Sequence, residues 1–219
     1  MQRFEERLTA LAIGGWIAGG VLAALVMMAD GPLPGEIAMT EALQAVPGLE
    51  PVSRAVRAMT TTEAVLIAGV AFAAVLFFAR MRQAALVFAI GLILLPLAQG
   101  GIKQIVDRPR PEPAQVEVRD DWTSPSFPSG HVMSGTFLYV FLAMSPAIRR
   151  RLQAPVRDVV RVGALVIVAV NAVANVWMGV HWPTDVLAGL LFGGGLALWV
   201  VAAEYELPGW RARTRGASR

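Results

Sequence analysis

Residues 84–103 read AALVFAIGLILLPLAQGGIK and carry their single charge at the last position. A helix rises about 1.5 Å per residue, so this run matches the roughly 30 Å core of a bilayer. Five further apolar runs of similar length flank it. The six runs cover residues 8–29, 62–79, 84–103, 130–147, 158–178 and 184–204. The sequence therefore predicts an all-α fold, a bundle of six transmembrane helices.

The composition excludes an ordinary soluble domain. The chain has 219 residues, 16% of them charged, and its mean hydropathy is +0.57. A water-soluble protein with six buried apolar helices would have almost no residues left to cover its surface. We therefore expect residues 1–219 to form a single integral membrane domain.

Arginines at alternate connections orient the predicted bundle. They precede the first run, separate the second from the third and the fourth from the fifth, and follow the sixth. Their positions are Arg3, Arg7, Arg80, Arg82, Arg149, Arg150, Arg151, Arg157, Arg161, Arg211, Arg213, Arg215 and Arg219. Because cytoplasmic connections are rich in arginine, we predict both termini on the cytoplasmic side of the plasma (cytoplasmic) membrane. The same charges, facing anionic lipid, account for the pI of about 10.1 without a nucleic-acid partner.

The first outer connection, residues 30–61, is long and rich in proline. Within it, residues 39–46 and 52–59 have an apolar spacing that predicts two short helices. These helices are expected to be interfacial, either lying on the membrane surface or capping the bundle. They would serve as packing elements or as a lid over a lipid site.

Six cations fall on the outer side, against the trend. They are Arg54, Arg57, Lys103, Arg108, Arg110 and Arg119. Four of the six belong to residues 103–119, where the pattern indicates an anion site. Lys103 ends the third run, and Pro109 and Pro111 hold Arg110 in an extended backbone. A lysine and an arginine that converge in this way suit a phosphoryl group, although they would also suit anchors at a helix end.

A second polar segment precedes the fourth run and ends in Pro128-Ser129-Gly130-His131. Ser129 is a favourable N-cap, and Gly130 lets backbone amides approach a ligand. The first turn of a helix attracts anions, and a histidine there is placed to donate a proton to a leaving oxygen. A helix cap with a spectator histidine is the simpler alternative.

A third polar segment joins the last two runs and contains the second of the chain's two histidines. His181 is followed by Pro183, at the expected first turn of the last helix, and by Asp185. An aspartate four residues after a histidine is placed to accept a hydrogen bond from the far ring nitrogen. This contact would leave the near nitrogen as a nucleophile.

Together, the order and spacing of these segments resemble the type 2 phosphatidic acid phosphatase (PAP2) superfamily, with its motifs K-x6-R-P, P-S-G-H and S-R-x5-H-x3-D. The resemblance implies a metal-independent lipid phosphatase, and the arginine distribution puts the three polar segments on the extracytoplasmic side. His181 would attack phosphorus to form a phosphohistidine, Asp185 would orient it, and His131 would protonate the leaving group. Phosphoryl oxygens would be held by Lys103, Arg110 and the amides of Ser129 and Gly130. No cofactor or metal is expected, and the chain has no cysteine.

One position departs from the family pattern. Ala174-Asn175 stands where the family has Ser-Arg, so Asn175 keeps a donor but lacks the charge. Unaided loss of a charge-assisted hydrogen bond would slow turnover by roughly 10- to 100-fold. In one reading, Arg108 or Arg119 supplies the missing charge. We expect Arg108 to bind phosphate in this way, together with the amide of Asn175. In the other readings the pocket is retuned for a different head group, such as a pyrophosphate, or the protein is inactive.

Three functions remain open at this level. The leading one is hydrolysis of a lipid phosphate or pyrophosphate, of the polyprenyl pyrophosphate, phosphatidylglycerol phosphate, phosphatidic acid or diacylglycerol pyrophosphate type. A phosphotransferase would pass the phosphoryl group to an alcohol instead of water. A non-catalytic lipid-phosphate binder or transport protein would use the same pocket. The expected partners are the substrate and membrane lipids, and the sequence leaves the oligomeric state open.

Overall fold

The computed structural model describes residues 2–207, with side chains from residue 4 onward. Nine helices and no strand lie within this range. They are α1 (Gln2–Met27), α2 (Glu36–Gln44), α3 (Glu50–Thr60), α4 (Thr62–Phe78), α5 (Arg82–Val106), α6 (Gly130–Met144), α7 (Pro146–Arg151), α8 (Ala154–Trp177) and α9 (Pro183–Glu206). The all-α prediction is confirmed for this range. The predicted basic tail, Arg211–Arg219, and the side chain of Arg3 lie outside the described residues.

Helices occupy all six predicted runs, but the predicted count of six membrane spans is not confirmed. In the described range α1, α5, α8 and α9 are each long and apolar enough to cross a membrane. The pair α3 and α4, bent by 57° at residue 61, gives a fifth candidate. Helix α6 has 15 residues and therefore extends only about 22 Å, which is short of a bilayer core. It is packed inside the bundle between α8 and α9.

Helix α9 is the centre of the bundle, with α1 on one side and α6 on the other. Small residues allow both approaches. Gly15 lies against the backbone of Leu191, and a Cβ added at Gly193 would stand 2.3 Å from the carbonyl oxygen of Met133. The backbones of α6 and α9 therefore nearly touch. This contact fixes the start of α6 against the start of α9, where the two histidines lie.

The first outer connection caps one end of the bundle. Its short helices α2 and α3 overlap the two predicted ones and pack on α8, with further contacts to α9 and α6. Helix α3 turns an unusual face inward, because its buried residues include the polar Ser53, Arg57 and Thr60. The loops after α5 and α8 reach the same end. Polar side chains from several helices and from these loops therefore lie close together at this end.

Candidate active site

One cavity of about 120 Å³ lies at the capped end of the bundle. It brings together five of the nine predicted site residues: Lys103, Arg110, Gly130, His131 and His181. The remaining lining residues are Thr61, Thr62, Glu63, Gln99, Trp122 and Ser124. The chain's one lysine and both its imidazoles therefore share one space, which is lined by α4, α5, α6 and the loops after α5 and α8.

His181 stands between a buried carboxylate and the cavity. Its Nδ1 lies 3.6 Å from Oδ2 of Asp185 and 3.5 Å from Oγ of Ser126. Its Nε2 lies on the cavity side, 3.4 Å from a terminal nitrogen of Arg110. Burial lowers the pKa of His181 to about 3, against the effect of Asp185, which raises it. The imidazole is therefore neutral near pH 7, with Nε2 as the nitrogen available for attack.

Asp185 is fixed by donors on every side. Its Oδ2 accepts hydrogen bonds from Oγ of Ser126 at 2.5 Å and from the backbone N–H of Trp182 at 2.8 Å. Its Oδ1 accepts from Nη1 of Arg108 at 2.7 Å. The side chain is fully buried. A carboxylate with this many donors is held in its ionised form and in one orientation behind His181.

Arg108 has a different position from the one predicted. It is 3% exposed, and its Nη2 donates to Oε2 of Glu36 at 2.5 Å. Its Nη1 donates to Asp185 and, at 2.7 Å, to Oγ1 of Thr184. Two buried carboxylates thus engage the guanidinium behind His181, and Arg108 does not line the cavity. Arg108 is therefore placed to hold Asp185, and its role as a phosphate ligand stays a prediction.

Lys103 and Arg110 do face the cavity, and both donate to the connection between α5 and α6. Nζ of Lys103 donates to the carbonyl oxygen of Pro125. Nε of Arg110 donates to the carbonyl oxygen of Ser124 at 2.7 Å, and its Nη1 to that of Val180 at 2.6 Å. Burial lowers the pKa of Arg110 to about 10, so the guanidinium remains charged at neutral pH.

At the start of α6, the amides of Ser129 and Gly130 were predicted to hold phosphoryl oxygens, and the two residues differ in position. Gly130 and His131 line the cavity, but the backbone N–H of Ser129 donates to the carbonyl oxygen of Asp185 at 3.0 Å. The Ser129 amide is therefore engaged with α9. Its hydroxyl is buried and has no hydrogen-bond partner within the described part of the chain. A Cβ at Gly130 would stand 2.5 Å from the amide nitrogen of Gln99, which reaches across from α5.

Asn175 and Arg119 both lie off the cavity. Asn175 is fully buried in α8, where its Nδ2 donates to Oδ1 of Asn171 at 2.9 Å. Its Oδ1 accepts from Nη1 of Arg57 at 2.6 Å. The guanidinium of Arg119 stacks 3.9 Å from the ring centroid of Trp177 and pairs with Glu117. Neither Arg119 nor Arg108 therefore stands next to Asn175, whereas Arg57 does.

Several functional candidates were not predicted from the sequence: Glu36, Arg57, Gln99, Trp122 and Ser126. Arg57 could have been predicted from the sequence, because it is a cation on the outer side. It also shares a helix face with Ser53, Val56 and Thr60. Of the others, Glu36 begins α2, Gln99 lies within α5, and Trp122 and Ser126 lie in the loop after α5. Their proximity depends on how the connections fold, which spacing along the chain does not reveal.

Comparison with known proteins agrees with this architecture. The family model of the PAP2 superfamily matches residues 84–207, more than half of the chain. The crystal structure of a transmembrane PAP2-type phosphatidylglycerolphosphate phosphatase from Bacillus subtilis superposes with a TM-score of 0.75. The two sequences are 24% identical, and the match covers 86% of this chain and 93% of that one. No curated protein sequence matches the chain. With the family model covering every motif at the cavity, the chain belongs to the PAP2 superfamily, a family with a membrane phosphatase fold.

Proposed function

We propose that this protein hydrolyses a lipid phosphate on the extracytoplasmic face of the membrane, by a metal-independent route through a phosphohistidine. One observation carries the proposal: neutral His181 stands between buried Asp185 and a cavity that also contains Lys103, Arg110 and His131. A nucleophile, an orienting carboxylate, a second imidazole and two cations are the groups that phosphoryl transfer requires.

The first half-reaction joins Nε2 of His181 to phosphorus and breaks the bond from phosphorus to the lipid oxygen. His131 gives its proton to that leaving oxygen. Lys103 and Arg110 exchange their backbone carbonyl partners for phosphoryl oxygens and stabilise the charge that develops there. The cations thereby perform the electrostatic role that a metal ion has in other phosphatases.

The second half-reaction hydrolyses the phosphohistidine. His131 accepts a proton from a water molecule, whose oxygen bonds to phosphorus as the bond from Nε2 breaks. Inorganic phosphate leaves and His181 returns to its neutral state. Asp185 stays ionised throughout and stabilises the imidazole while it carries positive charge.

The proposed sidedness rests on the arginine distribution. The cavity lies at the C-terminal ends of α5 and α8 and the N-terminal ends of α6 and α9. Described arginines lie towards the opposite ends of these helices: Arg82 begins α5, Arg151 lies between α6 and α8, and Arg157 is near the start of α8. The positive-inside rule then places the cavity outside.

Phosphatidylglycerolphosphate is our first candidate substrate, because the superposed phosphatase is named for it. We would assay inorganic phosphate release by the protein in detergent with excess chelator. The panel would also include phosphatidic acid, diacylglycerol pyrophosphate and a polyprenyl pyrophosphate. His181→Asn should abolish release, whereas Arg54→Ala, at an exposed arginine paired with Glu50, should not. Binding without turnover across the panel would instead indicate a lipid-phosphate binder, and phosphate on an added alcohol would indicate a transferase.

The intermediate has its own test. An aryl phosphate has a leaving group that needs no proton, so His131→Asn should still form the phosphohistidine but should hydrolyse it slowly. Acid-labile label from a ³²P-aryl phosphate should therefore accumulate on His131→Asn and be absent from His181→Asn. Label on neither variant, with active wild type, would refute the covalent route.

Sidedness is readily tested because the chain has no cysteine. A single cysteine in place of exposed Thr123, beside the cavity, should react with a membrane-impermeant maleimide on intact cells. A cysteine in place of exposed Gln153, at the start of α8, should react only after permeabilisation. The reverse pattern would place the site in the cytoplasm.

A further inference from the structure

Arg57 occupies the neighbourhood that the family pattern assigns to an arginine of α8. Asn175 stands at that arginine's position, and its Oδ1 accepts a hydrogen bond from Nη1 of Arg57 at 2.6 Å. An arginine side chain is longer than an asparagine side chain. The guanidinium of Arg57, lying beyond the amide tip of Asn175, is therefore in the region that an arginine at position 175 would reach.

The cation is buried but only partly neutralised. The Arg57 side chain is 5% exposed, and among the described residues it forms an ion pair from Nη2 to Oδ2 of Asp120 at 3.0 Å. The Asp120 side chain is 39% exposed and is therefore well solvated. Solvent weakens the influence of Asp120 on the guanidinium. Within the described residues, two hydrogen bonds leave further N–H donors of Arg57 for an anion.

Arg57 also lies next to the cavity. Its guanidinium carbon is 5.7 Å from the ring centroid of Trp122, a lining residue. The same ring lies 5.3 Å from the ring of His131 and 5.8 Å from the guanidinium carbon of Arg110. The charge of Arg57 reaches the site, since it contributes to lowering the pKa of Arg110. Trp122, which contacts both Arg57 and the cavity, is 44% exposed and lies in a loop.

We infer that Arg57 is a phosphate-binding residue that replaces the arginine missing at position 175, and that Asn175 is the residue that positions it. In this chain α3 supplies the guanidinium that α8 supplies in the family pattern. The amide of Asn175 positions it by accepting its hydrogen bond. This inference rests on the proposed function, because it assigns a ligand to the same phosphoryl group.

An exchange of the two residues tests the inference. Arg57→Asn should lower kcat/KM by roughly 10- to 100-fold, the loss expected for one charge-assisted hydrogen bond. Asn175→Arg alone should also lower it, because two guanidinium groups would compete for one place. The double variant Arg57→Asn/Asn175→Arg should recover activity to within a few-fold of the wild type. Arg54→Asn, an exposed arginine on the same helix, is the matched control and should change nothing.

A binding measurement separates this inference from the proposed function. Orthovanadate, a phosphoryl analogue, should raise the Tm of the detergent-solubilised protein. Arg57→Asn should lose most of that rise, whereas the double variant and Arg54→Asn should keep it. This result holds even if no lipid is turned over, in which case hydrolysis fails and the ligand assignment stands.

Three outcomes would overturn the inference. One is Arg57→Asn as active as the wild type. Another is a double variant no better than Arg57→Asn although it elutes as a monodisperse, folded protein. The third is a wild type whose Tm does not respond to orthovanadate.

Discussion

Replacing Arg108 by methionine should unfold the protein several degrees earlier and misplace its nucleophile. Arg108 joins two buried carboxylates, with 2.5 Å to Glu36 and 2.7 Å to Asp185, and all three side chains are at most 3% exposed. Methionine fills a similar volume but leaves both carboxylates without their cation. Removing one partner of a buried pair typically costs about 3–5 kcal/mol.

The cost converts into a measurable shift. For a chain of this size each kcal/mol lowers Tm by about 2–4 °C, so Arg108→Met should lower it by roughly 6–20 °C. Turnover of a lipid phosphate should fall as well, because Asp185 no longer fixes Nδ1 of His181. Both would be measured on the detergent-solubilised protein, by differential scanning fluorimetry and by phosphate release.

Arg54→Met is the matched control for Arg108→Met. Arg54 makes an exposed pair with Glu50, worth about 0–1 kcal/mol, so its loss should barely move Tm. An Arg108→Met protein that melts within 2 °C of the wild type, by this same measure, would refute the claim that the buried pairs hold the site.

Three further predictions concern single contacts. Ser126→Ala removes the 2.5 Å hydrogen bond to Oδ2 of Asp185 and should lower kcat by roughly 10- to 100-fold with little change in KM; an unchanged kcat would show that the other donors suffice. Because the pKa of His181 is lowered to about 3 in the folded protein, the unfolded chain binds more protons between that value and about pH 6.5. Stability should therefore fall as pH drops through this window, and His181→Asn should flatten the slope of Tm against pH; equal slopes would contradict the assignment. Gly193→Ala should destabilise by about 1–3 kcal/mol, because its Cβ would stand 2.3 Å from the carbonyl oxygen of Met133. Gly194→Ala, whose Cβ would have only a 3.7 Å contact, should leave Tm equal or higher, and equal effects would refute close packing of α6 on α9.

The sequence predicted the helices and the site through different kinds of signal. Apolar length located six of the described helices to within a few residues at most ends, because burial and lipid contact impose that length. Apolar length did not distinguish a membrane-spanning helix from α6, which is shorter and has no exposed residue. The two kinds of helix are similarly apolar. Five of the motif residues line one cavity, namely Lys103, Arg110, Gly130, His131 and His181, whereas Ser129 and Asp185 lie behind it.

The residues that sequence reasoning misplaced are those whose partners come from elsewhere in the fold. Arg108 stands two residues from Arg110 and looks equivalent, but the backbone turns it towards Glu36, which is 72 positions away. Asn175 lacks the charge that the family pattern predicts at its position, and Arg57, 118 positions away, supplies a guanidinium beside it. Charge on the outer side flagged both arginines, whereas their roles depended on how the first outer connection covers the bundle.

The cations around the cavity already have oxygen partners in the connection between α5 and α6. Lys103 donates to Pro125, Arg110 to Ser124 and Arg57 to Asp120. In the proposed reaction, an arriving phosphoryl group competes with these internal oxygens for the cations, and the oxygens are still in place when the product leaves. We therefore expect free phosphate to be a weak inhibitor of the reaction.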